Sequence, residues 1–341
     1  MSILRKDPIT NGWVIIAEER ALRPQDLGGE SPAFIDPAKC PFCPGNERLT
    51  PPEIRAVRDG GAPNAPGWRM RVVPNKFAAL RVEGDLDRRG LGMYDEMSGI
   101  GAHEVVIESP EHRQRLWQFG DDQLTALARV CHERVCDLSR DIRFRYIQIF
   151  RNFGARAGAS LEHPHTQIIA LPIVPRWVKE ELACAREHWM RTERCVFCDI
   201  VHQEQRDGER LVHDNEHFLA FEPFASKFPF ETWIIPKRHE ADFRRAGGDI
   251  LPALADTLRR TLTALARALA DPPYNLMLHS APFSAHEAEL IANTPNDYHW
   301  HIEIIPRLTV PGGFEWGTGF HINPTRPETA ATFLRQALAE A

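Results

Sequence analysis

The sequence predicts an α+β protein built from two similar halves. Three observations predict it. Short runs rich in β-branched and aromatic residues are mixed with a few stretches of helical periodicity, which suggests layers of strands and helices. One ordered set of Cys, Glu and His recurs in both halves. The segment Leu171-Pro172-Ile173-Val174-Pro175 breaks the 341-residue chain near its middle, dividing 1–175 from 176–341.

The elements follow in chain order. Residues 12–17 read as the first strand, and a polar, Pro/Gly-rich loop through Arg20, Arg23-Pro24 and Gly28-Gly29 leads on to Cys40. Strand runs recur at 70–73, 104–107, 146–150 and 166–170, then at 232–235 and 301–305. Apolar residues at i, i+3/i+4 spacing predict helices over 121–139, 177–192, 250–269 and 327–339, the last opened by Pro327.

With 43% hydrophobic and 26% charged residues the composition is that of an ordinary globular protein. A net charge of -6 argues against a nucleic-acid partner, which needs clustered Lys and Arg. A few local cations would still serve one small phosphate. No apolar run reaches membrane-spanning length, and the first residues lack an apolar signal core, so the expectation is a cytoplasmic enzyme with no membrane partner. Of 7 cysteines, four form two Cys-x-x-Cys pairs, a pattern that favours metal or redox chemistry over disulfides.

The first half carries Cys40-x-x-Cys43, then Glu104 with His112 eight residues later, then His163-x-His165. The second carries Cys195-x-x-Cys198, then Glu231 with His239 eight residues later, then His299-x-His301. A proline precedes each distal histidine (Pro110, Pro236), and 75–80 echoes 215–220. Zinc takes Cys and His ligands in tetrahedral fours. The repeat therefore predicts two zinc sites per chain: Cys40, Cys43, His112 and His163, and Cys195, Cys198, His239 and His299. A thioredoxin-like dithiol needs its first Cys at a helix N-terminus, and Pro44-Gly45 opposes a helix after Cys43. Taken singly, His112 or His239 would read as a surface histidine; the matched offset makes them ligands. Cys131, Cys136 and Cys184 fall on helical patterns and read as core or inert thiols.

Alternate residues on a strand share a face, so His163, His165 and Gln167 point the same way, and Pro164 predicts an edge or a strand start. With His163 on a metal, His165 is the next group along. An oriented neutral imidazole is a competent nucleophile toward phosphorus. Gly158, Ala159 and Ser160 allow close approach and offer donors to phosphate oxygens, and Gln167 adds a neutral amide. The second half has Glu303 where the first has Gln167, and 293–298 offers no small-residue cradle, which predicts a degenerate, structural half. The plainer alternative, that both His163 and His165 are structural, is opposed by the Gly-x-Ser lead-in and by Gln167.

Over nearly its whole length the chain resembles the galactose-1-phosphate uridylyltransferase family of the histidine-triad superfamily. The matching pieces are 20–24, the Cys40/Cys43 knuckle, 75–80, 109–112, 152–167 and 299–303. The resemblance implies two fused histidine-triad repeats, antiparallel sheets flanked by helices, in a homodimer. It implies His165 as the nucleophile that forms a nucleotidyl-histidine, with Ser160 and Gln167 beside it. In the implied ping-pong exchange, UDP-glucose loads His165 and releases glucose 1-phosphate, and galactose 1-phosphate then accepts the uridylyl group. Nucleotide contacts map to Arg20, Arg23, Asn75, Asn152, Gly158, Ser160 and Gln167. Hexose contacts map to Glu315 and Thr318 in the loop 313–319, donated across the dimer, and to Asn323.

Two positions depart from the familiar members. Thr166 stands where they have Gly, and Cys195 and Cys198 stand against a second metal site built there from Glu and several His. The cysteines resemble the ADP-glucose phosphorylase branch, which transfers adenylyl groups to phosphate; the His-Pro-His segment favours uridylyl transfer. The leading expectation is thus a UDP-glucose–hexose-1-phosphate uridylyltransferase of galactose metabolism. The alternatives are an ADP-glucose phosphorylase-like adenylyltransferase, a nucleotide hydrolase of the same superfamily and, furthest from these residues, a non-catalytic zinc-binding module.

Overall fold

The computed structural model describes residues 2–18, 36–283 and 293–339; the expected contacts Arg20 and Arg23 lie outside the described residues. In chain order the first half holds β1 (Ile3–Lys6), β2 (Trp13–Ile16), β3 (Arg55–Arg58), β4 (Trp68–Pro74), β5 (Arg89–Leu91), β6 (Tyr94–Glu96), β7 (Ala102–Ile107), α1 (Asp121–Leu138), β8 (Tyr146–Phe153) and β9 (His165–Leu171). The second holds α2 (Arg176–Thr192), α3 (Val196–Asp207), β10 (Leu211–Asp214), β11 (Phe218–Phe221), β12 (Thr232–Pro236), α4 (Ile250–Ala268), β13 (Tyr274–His279), α5 (Thr294–Asp297), β14 (His301–Pro306), α6 (Gly313–Thr318), β15 (His321–Asn323) and α7 (Pro327–Ala339).

One ten-stranded sheet organises the molecule, in the order β10-β11-β12-β14-β13-β8-β9-β7-β4-β3. Its neighbours pair antiparallel throughout. At its centre Met277 of β13 lies opposite Phe150 of β8. Outward from that pair the order is a palindrome: β13 matches β8, β14 matches β9, β12 matches β7, β11 matches β4 and β10 matches β3. The repeat in the sequence is thus an approximate two-fold within one sheet. β1, β2 and β15 form a separate three-stranded sheet, with β2 and β15 parallel.

One face of the large sheet packs on helices. Val72, Val106, Ile149, Ile168, Leu276, Leu278 and Ile302 meet the apolar stripes of α1, α4 and α7, with α4 between the other two. In α1 that stripe is Leu124, Leu127, Val130, Cys131, Val135 and Leu138, and Asp121 and Asp122 suit the positive end of the helix. On the opposite face, α2 and α3 cover the second half and the start of β8, over Tyr146, Leu219, Phe221, Trp233 and Ile235. The first half keeps that face for a small cluster, Trp68, Val73, Val105 and Ile107 with Phe42, and for the site described below.

Several details differ from the sequence reading. β9 is an interior strand between β7 and β8, so of the two places expected for Pro164 the edge is excluded and the strand start holds: it stands just before β9, where a missing N–H breaks no ladder bond. The Glu-to-His echo is one register out. β7 pairs Ile107 with His165, and β12 pairs Ile234 with Ile302, so Thr232, not Glu231, takes the place of Glu104. Glu104 binds Arg134 of α1 at 2.7 and 2.8 Å, whereas Glu231 accepts from the backbone N–H of Lys227 and the indole of Trp233. The reading also passed over β13 and α3. For α3 the sequence signal was present, an apolar stripe at Val196, Phe197, Ile200 and Val201; in β13 burial alternates from Tyr274 to His279, but the run Leu276-Met277-Leu278 hides that alternation in the sequence.

Candidate active site and metal centres

The first Cys/His set assembles as expected: Cys40, Cys43, His112 and His163 bring one ligand atom each to within 4.8 Å of one another. His163 Nε2 donates to the Ser109 carbonyl (2.8 Å) and His112 Nε2 to the Glu162 carboxylate (2.8 Å). Each ring therefore turns Nδ1 toward the thiols while an oxygen holds its other nitrogen, as is typical of metal-bound histidine. Cys43 Sγ lies 3.2 Å from His112 Nδ1 and 3.5 Å from His163 Nδ1, and Cys40 Sγ lies 3.7 Å from His163 Nδ1. Tetrahedral zinc, with Zn–S ~2.3 Å and Zn–N ~2.0–2.1 Å, has S···N edges of about 3.5 Å. Burial and the neighbouring Cys40 push the Cys43 thiol up to about 12, so a thiolate there needs a cation beside it. Burial lowers His163 to about 4, which keeps it a neutral ligand.

The second set, Cys195, Cys198, His239 and His299, has the same geometry. Cys198 Sγ is 3.3 Å from His239 Nδ1 and 3.8 Å from His299 Nδ1, and His239 Nε2 donates to the Pro295 carbonyl at 2.9 Å. Cys195 is the N-cap of α3, so this pair does open a helix. The hydrogen bond from Cys195, followed by those from the two histidines, holds the Cys198 thiol well below its ordinary value.

His165 opens β9 and is 7% exposed. Its Nδ1 donates to the His163 carbonyl at 2.8 Å, so the metal-set histidine orients it through the backbone and Nε2 keeps its lone pair. Burial lowers its pKa, so the ring is neutral and nucleophilic. It faces a pocket of about 400 Å³ that also takes in Phe42, Asn75, Lys76, Ser160 and Gln167. Gly158 and Ala159 are less available than expected: their N–H groups bond inside the loop, to Ala155 and Gly154 carbonyls, leaving Ser160 as its exposed donor. Gly154 has φ +83°, and a Cβ there would meet Pro273 Cβ at 2.6 Å.

One residue of this site went unread in the sequence. His103 of β7 accepts the Ala79 N–H on Nδ1 (3.3 Å) and donates from Nε2 to Gln167 Oε1 (2.9 Å). Asn75 Nδ2 packs 3.0 Å from the same nitrogen. With its oxygen engaged, Gln167 turns its NH2 to the pocket. Behind His165, Thr166 donates to Glu108 at 2.6 Å, and Arg151 holds Glu108 at 3.0 Å while donating to Tyr274 of the second half at 2.9 Å.

His301 mirrors His165, with Nδ1 on the His299 carbonyl at 3.1 Å, but it is closed in. It is 0% exposed and stacked between Trp233 and His279 with both centroids at 4.8 Å. Glu303, in Gln167's place, faces His279, which lies 3.1 Å from Glu181 of α2. Despite burial, Glu181 and Glu303 raise His279 to about 9. Glu181, His279, His301 and Glu303 also form a third group of donors within 4.8 Å that could hold a metal ion. The implied hexose contacts lie elsewhere in the chain. Glu315 and Thr318 line a separate cavity of about 790 Å³ with Trp13, Trp177 and Arg307. The Asn323 amide is engaged by Ser226 and Phe228 carbonyls at 2.9 and 3.1 Å.

Fold and site together define a two-half protein with one open histidine pocket and one closed counterpart. The galactose-1-phosphate uridyl transferase N-terminal domain matches residues 1–175, and the C-terminal domain of the same family matches 146–311. The chain belongs to that family, and it is a transferase of that family. It is 36% identical to ADP-glucose phosphorylase of Arabidopsis thaliana over 98% of this chain and 92% of the relative. It is 30% identical to galactose-1-phosphate uridylyltransferase of Thermotoga maritima over 100% of both. The crystal structure of the Arabidopsis ADP-glucose phosphorylase with bound ADP-glucose superposes with a TM-score of 0.82, at 33% identity, covering 98% of this chain and 99% of that one. Among the described residues, no helix is long and apolar enough to cross a membrane.

Proposed function

We propose that this protein transfers a nucleoside monophosphate from a nucleoside diphosphate glucose through His165, with ADP-glucose as the donor and phosphate as the acceptor. The observation that carries the transfer is the neutral His165, its Nε2 lone pair free in a pocket shared with Ser160, Gln167 and Asn75. His165 Nε2 attacks the phosphorus that bears the nucleoside, the bond to the bridging oxygen breaks, and glucose 1-phosphate leaves. A phosphate oxygen then attacks the same phosphorus, the P–N bond breaks, and ADP leaves with the imidazole neutral again. Gln167 and Ser160 donate to the oxygens on which charge builds. Cys40, Cys43, His112 and His163, and Cys195, Cys198, His239 and His299, would hold zinc, which would fasten distant loops together; His163, whose carbonyl accepts from His165 Nδ1, would thereby be fixed in place.

The adenylyl donor is supported by the 36% identity to the ADP-glucose phosphorylase and by the second pair of cysteines. Uridylyl transfer to galactose 1-phosphate is the second reading, favoured by His163-Pro164-His165 and by the full-length likeness to the Thermotoga enzyme. Turnover of ADP-glucose with phosphate, assayed beside UDP-glucose with galactose 1-phosphate, tests the choice. Faster ADP formation supports the first reading, and faster UDP-galactose formation replaces it with the second. Glu315 and Thr318 fit this scheme as contacts given to a second copy in a homodimer.

A further inference from the structure

The second half gives the active site more than support. Asn275 of β13 lies opposite Asn152 of β8 across the junction of the two halves. Its Nδ2 donates to Asn152 Oδ1 at 2.8 Å and to the Ala157 carbonyl at 2.8 Å. β8 and β9 pair as far as Phe150 and Gln167, and Asn152, two residues further along β8, shares the sheet face of that pair. An amide whose oxygen is engaged must turn its NH2 the other way. Accordingly, Asn152 Nδ2 lies over Gly158, 3.7 Å from where a Cβ would stand, at a φ of +85°. Freed from Asn275, the amide could rotate and present its oxygen, which repels a phosphoryl group.

We propose that Asn275 is a positioning residue for nucleotidyl transfer: it holds Asn152 with its NH2 toward the phosphoryl group and pins the loop 154–160 by the Ala157 carbonyl. This rests on His165 as the nucleotide carrier. The role complements that of His103, which fixes Gln167 from the other side of the pocket. The approximate two-fold makes the assignment specific, because the residue matching Asn152 in the closed half is His279, already bound to Glu181.

The test measures single-turnover loading of His165 with ADP-glucose and with UDP-glucose, alongside zinc content and melting temperature. Asn275→Ala is expected to slow loading about tenfold or more, the loss of one oriented hydrogen bond. Asn275→Asp, which keeps the shape but cannot donate, slows it at least as much. In an Asn152→Ala background the Asn275→Ala change adds less than about twofold, because the two act as one unit. Equal slowing in both backgrounds, or loading at the wild-type rate in both Asn275 variants, overturns the proposal. A folded, metal-loaded wild type that takes up neither nucleotide overturns the His165 reading instead, and this role with it.

Discussion

Phe42 and Phe197 occupy the same place in the two halves. Each is the third residue of its Cys-x-x-Cys, and each stands edge-on or tilted over the second histidine of a His-x-His, 5.4 Å from His165 and 5.3 Å from His301 between ring centroids. The halves therefore share a complete local unit of metal knuckle, aromatic cap and oriented imidazole. What separates them is what covers the sheet face. Over His301, α2 and α3 bring Glu181 and Phe197 down and close the ring in. Over His165, among the described residues, no helix lies, and a pocket remains.

Metal content follows from the repeated ligand sets. Two zinc per chain are expected by elemental analysis, halved in Cys195→Ser. That variant should lose stability while His165 still loads, because its site lies in the closed half. One zinc in the wild type would contradict the repeat.

His103 acts through Gln167. His103→Ala should slow nucleotidyl transfer about tenfold, the effect of releasing one oriented hydrogen bond, with zinc content unchanged. Unaltered loading kinetics in that variant would show that Gln167 needs no such support.

The ion pair behind the nucleophile is a stability element. Arg151 is 3% exposed and Glu108 0%, so removing one partner leaves a buried charge. Arg151→Met should destabilise the fold by about 3–5 kcal/mol in denaturant unfolding. A change below about 1 kcal/mol would mean that Thr166 and water satisfy Glu108 alone.

Much of this was legible in the sequence. The helices at 121–138 and 250–268 follow from apolar periodicity, and the metal sets follow from ordered spacing. The parts that were not legible depend on register. Glu104 and Glu231 share an offset but not a place, because one residue of strand slip moves a side chain to the other face. His103 and Asn275 are ordinary residues until pairing brings them against Gln167 and Asn152. β13 was obscured because Asn has weak strand preference and because Met277 between Leu276 and Leu278 breaks the polar–apolar alternation, although burial alternates along the strand.

The most direct test of the central claim is intact-mass analysis after exposure to ADP-glucose or UDP-glucose, with peptide mapping of any adduct. One nucleoside monophosphate per chain is expected, on His165, stable to base and labile to acid as a phosphoramidate is, and absent in His165→Gly. An adduct on His301 or any other residue, or none with either nucleotide in a folded, zinc-loaded protein, would contradict the account.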